Sequence, residues 1–272
     1  MPDSQYANLA TPAPGIAHEY GANVHLLSDP WSMSLLARLC QDKTVQPDVN
    51  RLVASLYSRL LVNVACRLLQ TKQTALDTRM KAFLPEGTYE GAIIDPDQRV
   101  VVVDLARAGI LPSHVFFEGL HQAIQPDQLR QDHVVASRTT DSEGRVQGVR
   151  FDGSKIGGPI DDATVIFPDP MGATGSSIAG VIEHYLSDTV GGTPRAMAAI
   201  HLIVTPEYLR RMTTSYPDLQ IFAVRLDRGL SSPEVLATRP GTHWDQERGL
   251  NDIQYIVPGA GGVGEVLNNA WV

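Results

Sequence analysis

The hydrophobic positions follow two regimes along the chain. In residues 48–71, Leu52, Leu56, Leu60, Val64 and Leu68 recur at every fourth position, and Val49, Val53, Tyr57 and Leu61 widen the stripe. Such spacings gather side chains on one face of a helix, and Pro47-Asp48 supplies its start signal. Residues 31–42 read as another helix. From about residue 91 the period changes. Short β-branched or apolar runs at Val100–Val103, Val134–Ala136, Thr164–Phe167, Ala198–Val204, Ile221–Val224 and Tyr255–Val257 read as strands. Helical stretches at Pro112–Ala123, Ser177–Leu186 and Pro206–Thr213 lie between them. Strands separated by helices predict an α/β fold, a largely parallel sheet flanked by helices on both faces. Ligands then sit at the carboxyl ends of the strands.

Three segments stand outside this rhythm. Residues 1–23 hold Pro2, Pro12, Pro14, Gly15 and Gly21 with little periodicity, and read as an arm that is disordered or packs on a partner. Residues 138–162, rich in Gly, Asp and Ser, read as a mobile β-hairpin acting as a lid. Residues 229–252 carry Pro233, Pro240, Gly241 and Gly249 and read as a long surface insertion. Residues 24–272 are expected to form a single domain.

Composition narrows the function without naming it. The chain of 272 residues is 43% hydrophobic and 19% charged, ordinary for a globular protein. Its net charge of −8 argues against a nucleic-acid surface. No apolar run approaches membrane-spanning length, and no secretory leader is visible. Cys40 and Cys66 lie far apart and form no disulfide framework, so a reducing, cytoplasmic setting is the simplest expectation.

The candidate chemistry lies in residues 163–180, ATVIFPDPMGATGSSIAG. An apolar run leads into Asp169, then a loop of small residues, then a helical pattern. Loop amides and the positive end of the helix dipole favour an anion there. Small residues let the backbone approach it, and the Thr174, Ser176 and Ser177 hydroxyls add donors. Asp169 is suited to orient a ribose hydroxyl or a metal-bound water. The loop has no lysine, so it is not a G-x-x-x-x-G-K-[ST] loop, and it has no G-x-G-x-x-G. Gly175-Ser176-Ser177-Ile178-Ala179 is not a nucleophile elbow. His114 and His121 lack a third metal ligand, and His243-Trp244-Asp245 reads as a surface loop.

Asp169-Pro170-Met171-Gly172-Ala173-Thr174-Gly175-Ser176-Ser177 resembles the phosphoribosyl-pyrophosphate loop of uracil phosphoribosyltransferases, close to D-P-M-L-A-T-G-G-S. Only Gly172 and Ser176 depart. Residues 101–110, ending Arg107-Ala108-Gly109-Ile110, resemble the family's strand ending in R-A-G. Tyr255-Ile256-Val257-Pro258-Gly259-Ala260-Gly261 resembles its Y-I-x-P-G-x-G uracil loop. The likeness spans roughly residues 24–268, interrupted by 229–252.

The resemblance implies a type I phosphoribosyltransferase-like fold and transfer of phosphoribose to uracil, giving UMP and pyrophosphate in pyrimidine salvage. It places Arg107 and Arg138 on the pyrophosphate, where arginine's planar fork suits phosphate. It places Asp169 and residues 170–177 on the donor, and uracil on the backbone of Ile256 with Gly261, Gly262 and Val263. Mg²⁺ is expected with the substrate rather than from dedicated ligands. A homodimer or higher homo-oligomer, built on the 48–71 helix and the arm, and GTP binding are further implications. Two departures matter. The family reads D-A-G-D-R or D-A-G-D-K after P-G-x-G, whereas this chain reads Gly262-Val263-Gly264-Glu265-Val266. Asp104 stands where the approach to R-A-G is usually proline-rich. The missing acid at 262 leaves three readings: catalysis without it, substitution by another residue, or an altered activity. The last includes a non-catalytic regulatory protein that binds phosphoribosyl pyrophosphate or a nucleotide, and transfer to another base.

Overall fold

The computed structural model describes residues 6, 9, 15–140, 146–187 and 189–270, and for residues 137–140, 146–149 and 151 the backbone alone. The chain opens with β1 (Val24–Leu26), α1 (Pro30–Leu39), α2 (Asp48–Leu68), β2 (Thr71–Asp77) and β3 (Thr88–Ile94). The centre comprises β4 (Val100–Ala106), α3 (Ile110–Leu120), β5 (Leu129–Thr140), β6 (Val146–Lys155), β7 (Thr164–Pro168), β8 (Met171–Gly172) and α4 (Ser176–Leu186). It closes with β9 (Ala196–Val204), α5 (Pro206–Ser215), β10 (Gln220–Leu226), α6 (Pro233–Leu236) and α7 (Val263–Asn268).

The main sheet runs β1-β10-β9-β7-β4-β5-β6, with β8 pairing to β9. Its pairings are parallel except β5 with β6, which is the hairpin expected at the lid. The β4 sequence VVVVDLA explains its central place, because a strand covered on both faces needs apolar side chains on both. Val100 and Val102 pack with Leu56, Tyr57 and Leu60 of α2 and Phe116 of α3. Val101, Val103 and Leu105 pack on the opposite face with Val181, Ile182 and Tyr185 of α4 and Leu209 of α5.

The structure departs from the sequence reading in four places. Tyr255–Val257 is not a strand; Ile256 forms one isolated antiparallel bridge with Leu250. Pro258, which has no amide hydrogen, and the left-handed Gly259 (φ 64) end any ladder there. The separate β2–β3 hairpin was not anticipated. The stripe of α2 is used inside its own chain, with Val53, Leu56, Tyr57 and Leu60 buried, so it is no free dimer face. Residues 15–23 also pack on their own chain. The Ile16 amide donates to the Leu26 carbonyl (3.1 Å), the Glu19 amide to the Pro240 carbonyl (2.8 Å), and the Tyr20 hydroxyl to Glu247.

That last contact shows that residues 229–252 are tied down rather than loose. Buried Glu247 accepts from Arg228 (2.7 Å) and from the Gly241 amide (2.9 Å). The Trp244 indole donates to the Pro206 carbonyl at 3.1 Å and meets the Tyr20 ring edge-on, with centroids 4.9 Å apart. Cys40 and Cys66 are both free thiols. No described helix is long and apolar enough to cross a membrane.

Candidate active site

The small-residue loop joins the carboxyl end of β7 to α4. The Asp169 amide donates to the Ile200 carbonyl at 2.9 Å, which anchors the loop to β9. Gly175 is the residue before α4 and is left-handed (φ 79), a conformation that glycine adopts without a side-chain penalty. The Thr174 hydroxyl accepts from the Ser176 amide at 3.3 Å and lies 3.0 Å from the Ser176 hydroxyl. The remaining amides of the first α4 turn have no partner within the helix, as at any helix start. This end of α4 therefore presents free amides and two hydroxyls beside Asp169.

Gly172 is explained by what fills its space. A methyl group there would lie 2.9 Å from Val204 Cγ1 and 3.2 Å from the Tyr208 ring. Tyr208 belongs to a buried chain of hydrogen bonds that the sequence did not reveal. His201 Nδ1 contacts the Asp169 carbonyl, which only accepts, so Nδ1 carries the hydrogen. Nε2 is then the acceptor for the Tyr208 hydroxyl. Burial holds His201 neutral, its pKa lowered to about 4. Burial first, and then the nearby Asp169 charge, push the Tyr208 and Tyr57 hydroxyls up.

Arg107 follows the end of β4 through a cis Ala106–Arg107 peptide. Its guanidinium donates to the Ala270 carbonyl (3.4 Å) and lies 3.9 Å from Glu265. At Gly109 a side chain has no room: a methyl group would sit 2.7 Å from the Leu105 carbonyl oxygen and 3.0 Å from that of Pro168. Glycine there lets the R-A-G turn pack against Pro168, the last residue of β7 before the 169–177 loop. Asp104 is buried. One of its carboxylate oxygens meets His133 Nδ1 at 2.9 Å and the other has no hydrogen-bond partner, and burial raises its pKa. Arg138 lies in β5 paired with Val149, and its side chain lies outside the described part of the structure.

The 255–263 loop is held from beneath. Buried Asp227 accepts from the Gly259 amide at 2.7 Å and from Arg225 at 2.6 and 2.8 Å, and Arg225 donates to the Gly259 carbonyl at 3.1 Å. The Asn251 amide donates to Tyr255 (3.0 Å) and the Val257 amide to Gly249 (2.8 Å). In this antiparallel pattern the amide and carbonyl of Ile256 point away from Leu250. Gly264 faces the R-A-G turn, a methyl group there lying 3.6 Å from Ala108 Cβ. At Gly262 a methyl group would lie 2.4 Å from Glu265 Oε2, so the Glu265 carboxylate fills the space that a side chain at 262 would take.

The three loops flagged in the sequence therefore lie together at the carboxyl ends of the strands. Sequence reasoning missed Arg225, Asp227, His201, Tyr208 and Arg211, whose guanidinium donates to the Ser176 hydroxyl. The family model of the uracil phosphoribosyltransferases matches residues 26–243. The chain belongs to that family. Uracil phosphoribosyltransferase from Pyrobaculum arsenaticum is 32% identical over 181 residues, 66% of this chain and 71% of that one. The enzyme of that name from Pyrobaculum islandicum is 27% identical over 242 residues, 89% of this chain and 97% of its own. A solved protein of Aquifex aeolicus shares the fold, with a TM-score of 0.68 at 20% identity over 92% of this chain and 99% of that one. As a member of the uracil phosphoribosyltransferase family the chain is a phosphoribosyltransferase, an enzyme of the pentosyltransferase class.

Proposed function

We propose that the enzyme transfers phosphoribose from phosphoribosyl pyrophosphate to uracil, forming UMP and pyrophosphate. The observation that carries this reading is the contact of the R-A-G turn with its two neighbours, Gly109 against Pro168 and Gly264 against Ala108. A donor at the 169–177 loop and a base at the 256–263 loop would meet beside Arg107, a proximity effect.

In the reaction a ring nitrogen of uracil bonds to the anomeric carbon while the bond from that carbon to pyrophosphate breaks. Stabilising the departing negative charge is the main demand, and Arg107 and Arg138 answer it, while the amides of the 174–177 loop hold the 5′-phosphate of the donor. Asp169 orients ribose hydroxyls or metal-bound water. No cluster of three or more His, Cys, Asp or Glu is placed to hold a metal among the described residues. One carboxylate beside a phosphate loop suits Mg²⁺, which keeps its waters and binds phosphate oxygens. The ion would arrive on the substrate with Asp169 facing its bound water, and it would neutralise pyrophosphate charge. The β5–β6 hairpin acts as the lid, excluding water and sparing the donor from hydrolysis. Backbone groups of Ile256, Gly261, Gly262 and Val263 match the donor–acceptor edge of uracil. Glu265 supplies the carboxylate absent at 262, which favours substitution over loss of activity. Leu76, Met80, Phe83 and Leu84, exposed on the β2–β3 hairpin, support a homo-oligomer, to be checked by light scattering.

The test is to incubate the protein with Mg²⁺, phosphoribosyl pyrophosphate and a panel of nucleobases while following pyrophosphate release. UMP formation that is lost in Asp169→Asn and Arg107→Ala supports the proposal. Turnover with another base and none with uracil overturns the substrate assignment. Donor binding with no turnover on any base overturns the catalytic role.

A further inference from the structure

Two arginines stand side by side on α5 and part company. The buried face of α5 carries Tyr208, Leu209 and Met212, leaving Arg210 and Arg211 exposed. Arg210 turns to the 229–252 segment, donating to the Trp244 carbonyl with its guanidinium carbon 6.0 Å from the indole centroid. Arg211 turns the other way. Its Cδ would lie 3.3 Å from a methyl group at Gly175, so its stem runs along the side-chain-free face of that residue. Its guanidinium donates to the Ser176 hydroxyl, itself 3.0 Å from the Thr174 hydroxyl. Among the described residues no carboxylate lies within ion-pair distance of Arg211.

This position is electrostatically unfavourable in the empty protein. The start of α4 already carries the positive end of the helix dipole, and a cation is disfavoured there. A hydrogen bond to one hydroxyl leaves most of the five guanidinium donors unused. Both features become favourable together if an anion rests on the loop. A phosphate monoester presents several charged oxygens, which suit the loop amides on one side and the arginine fork on the other.

We propose that Arg211 is a phosphate-binding residue that closes the open side of the 174–177 loop on the 5′-phosphate of the donor, with Ser176 holding its guanidinium in place. This rests on the donor-site reading above and adds to it a cation on α5. Ser176 and Arg211 then act as a pair.

The experiment measures calorimetric affinity for ribose 5-phosphate and for pyrophosphate with Mg²⁺ in the wild type, Arg211→Met, Arg211→Lys and Ser176→Gly. Phosphoribosyl pyrophosphate is titrated into the wild type as the control. Arg211→Met should weaken ribose 5-phosphate about tenfold or more and leave pyrophosphate within about twofold. It should also flatten the salt dependence of ribose 5-phosphate binding. Arg211→Lys should recover part of the loss, and Ser176→Gly should show a smaller loss with the same selectivity. A urea midpoint close to the wild type shows that folding is intact. Unchanged ribose 5-phosphate binding in Arg211→Met, or equal losses for both ligands, overturns the proposal alone. A wild type that binds neither ribose 5-phosphate nor phosphoribosyl pyrophosphate overturns the donor-site reading with it.

Discussion

At Gly172 and Gly262 the chain lacks a side chain that its family pattern carries, and in both places another residue occupies the gap. Val204 and Tyr208 fill the first and the Glu265 carboxylate the second. The glycines were legible in the sequence because motifs are read position by position. Their compensators were not, because each reaches its gap through the fold and neither stands at the motif position it serves. The pairing makes opposite changes testable. Gly172→Leu alone should destabilise the protein by about 1–3 kcal/mol through overpacking, measured by urea unfolding. In a Tyr208→Ala background the same substitution should cost less than it does in the wild type. At the second site, Gly262→Asp would put two carboxylates in one space, where like charges disfavour ionisation of both. Uracil turnover should therefore fall in Gly262→Asp and recover in Gly262→Asp/Glu265→Ala. A rise in turnover from Gly262→Asp with Glu265 present would refute the substitution argument.

Elements were legible where burial imposes a period and illegible where it does not. The four-valine run of β4 and the fourfold spacing of α2 both report buried faces, and both elements exist. Residues TKQTALD of β2 carry no such signal, because the strand pairs only with β3 in a separate sheet and is largely exposed. Tyr255–Val257 shows the converse. Its apolar character reflects a loop wedged against the core, held by Asp227 and by residues 249–251 rather than by a ladder. The contact that joins this loop to the helices is equally silent in the sequence. Glu207, in the first turn of α5, accepts from the amides of Gly249 (3.0 Å) and Leu250 (3.3 Å), and Leu250 bridges to Ile256. Thr205, which caps the same helix, donates to the Ala173 carbonyl of the 169–177 loop at 2.7 Å. The start of α5 thus touches both halves of the site. Glu207→Ala should raise KM for uracil about tenfold, as expected when hydrogen bonds to a charged group are lost. Donor KM should change little, and steady-state kinetics with each substrate varied in turn will show the split.

Over the whole molecule, a protein of net charge −8 would bind an anion only through local features, here the positive end of the α4 dipole and Arg107 at the carboxyl ends of the strands. The site rests on a core that is itself sensitive to protons. His201 is fully buried in β9, where its ring joins the backbone of Asp169 to Tyr208. In the unfolded chain its pKa is near 6.5, and in the folded protein it falls to about 4 because burial penalises the charged ring. Between those values the unfolded chain binds more protons, so stability rises with pH through this window. The contribution is fully present above about pH 6.5. It is lost as pH falls through the folded value, and the whole step is about 3 kcal/mol. His201→Gln keeps hydrogen-bonding capacity but removes the titration. Urea midpoints measured from pH 7 down to pH 4 should fall more steeply for the wild type than for His201→Gln. Parallel slopes would mean that His201 is not the group through which acid reaches the floor of the 169–177 loop.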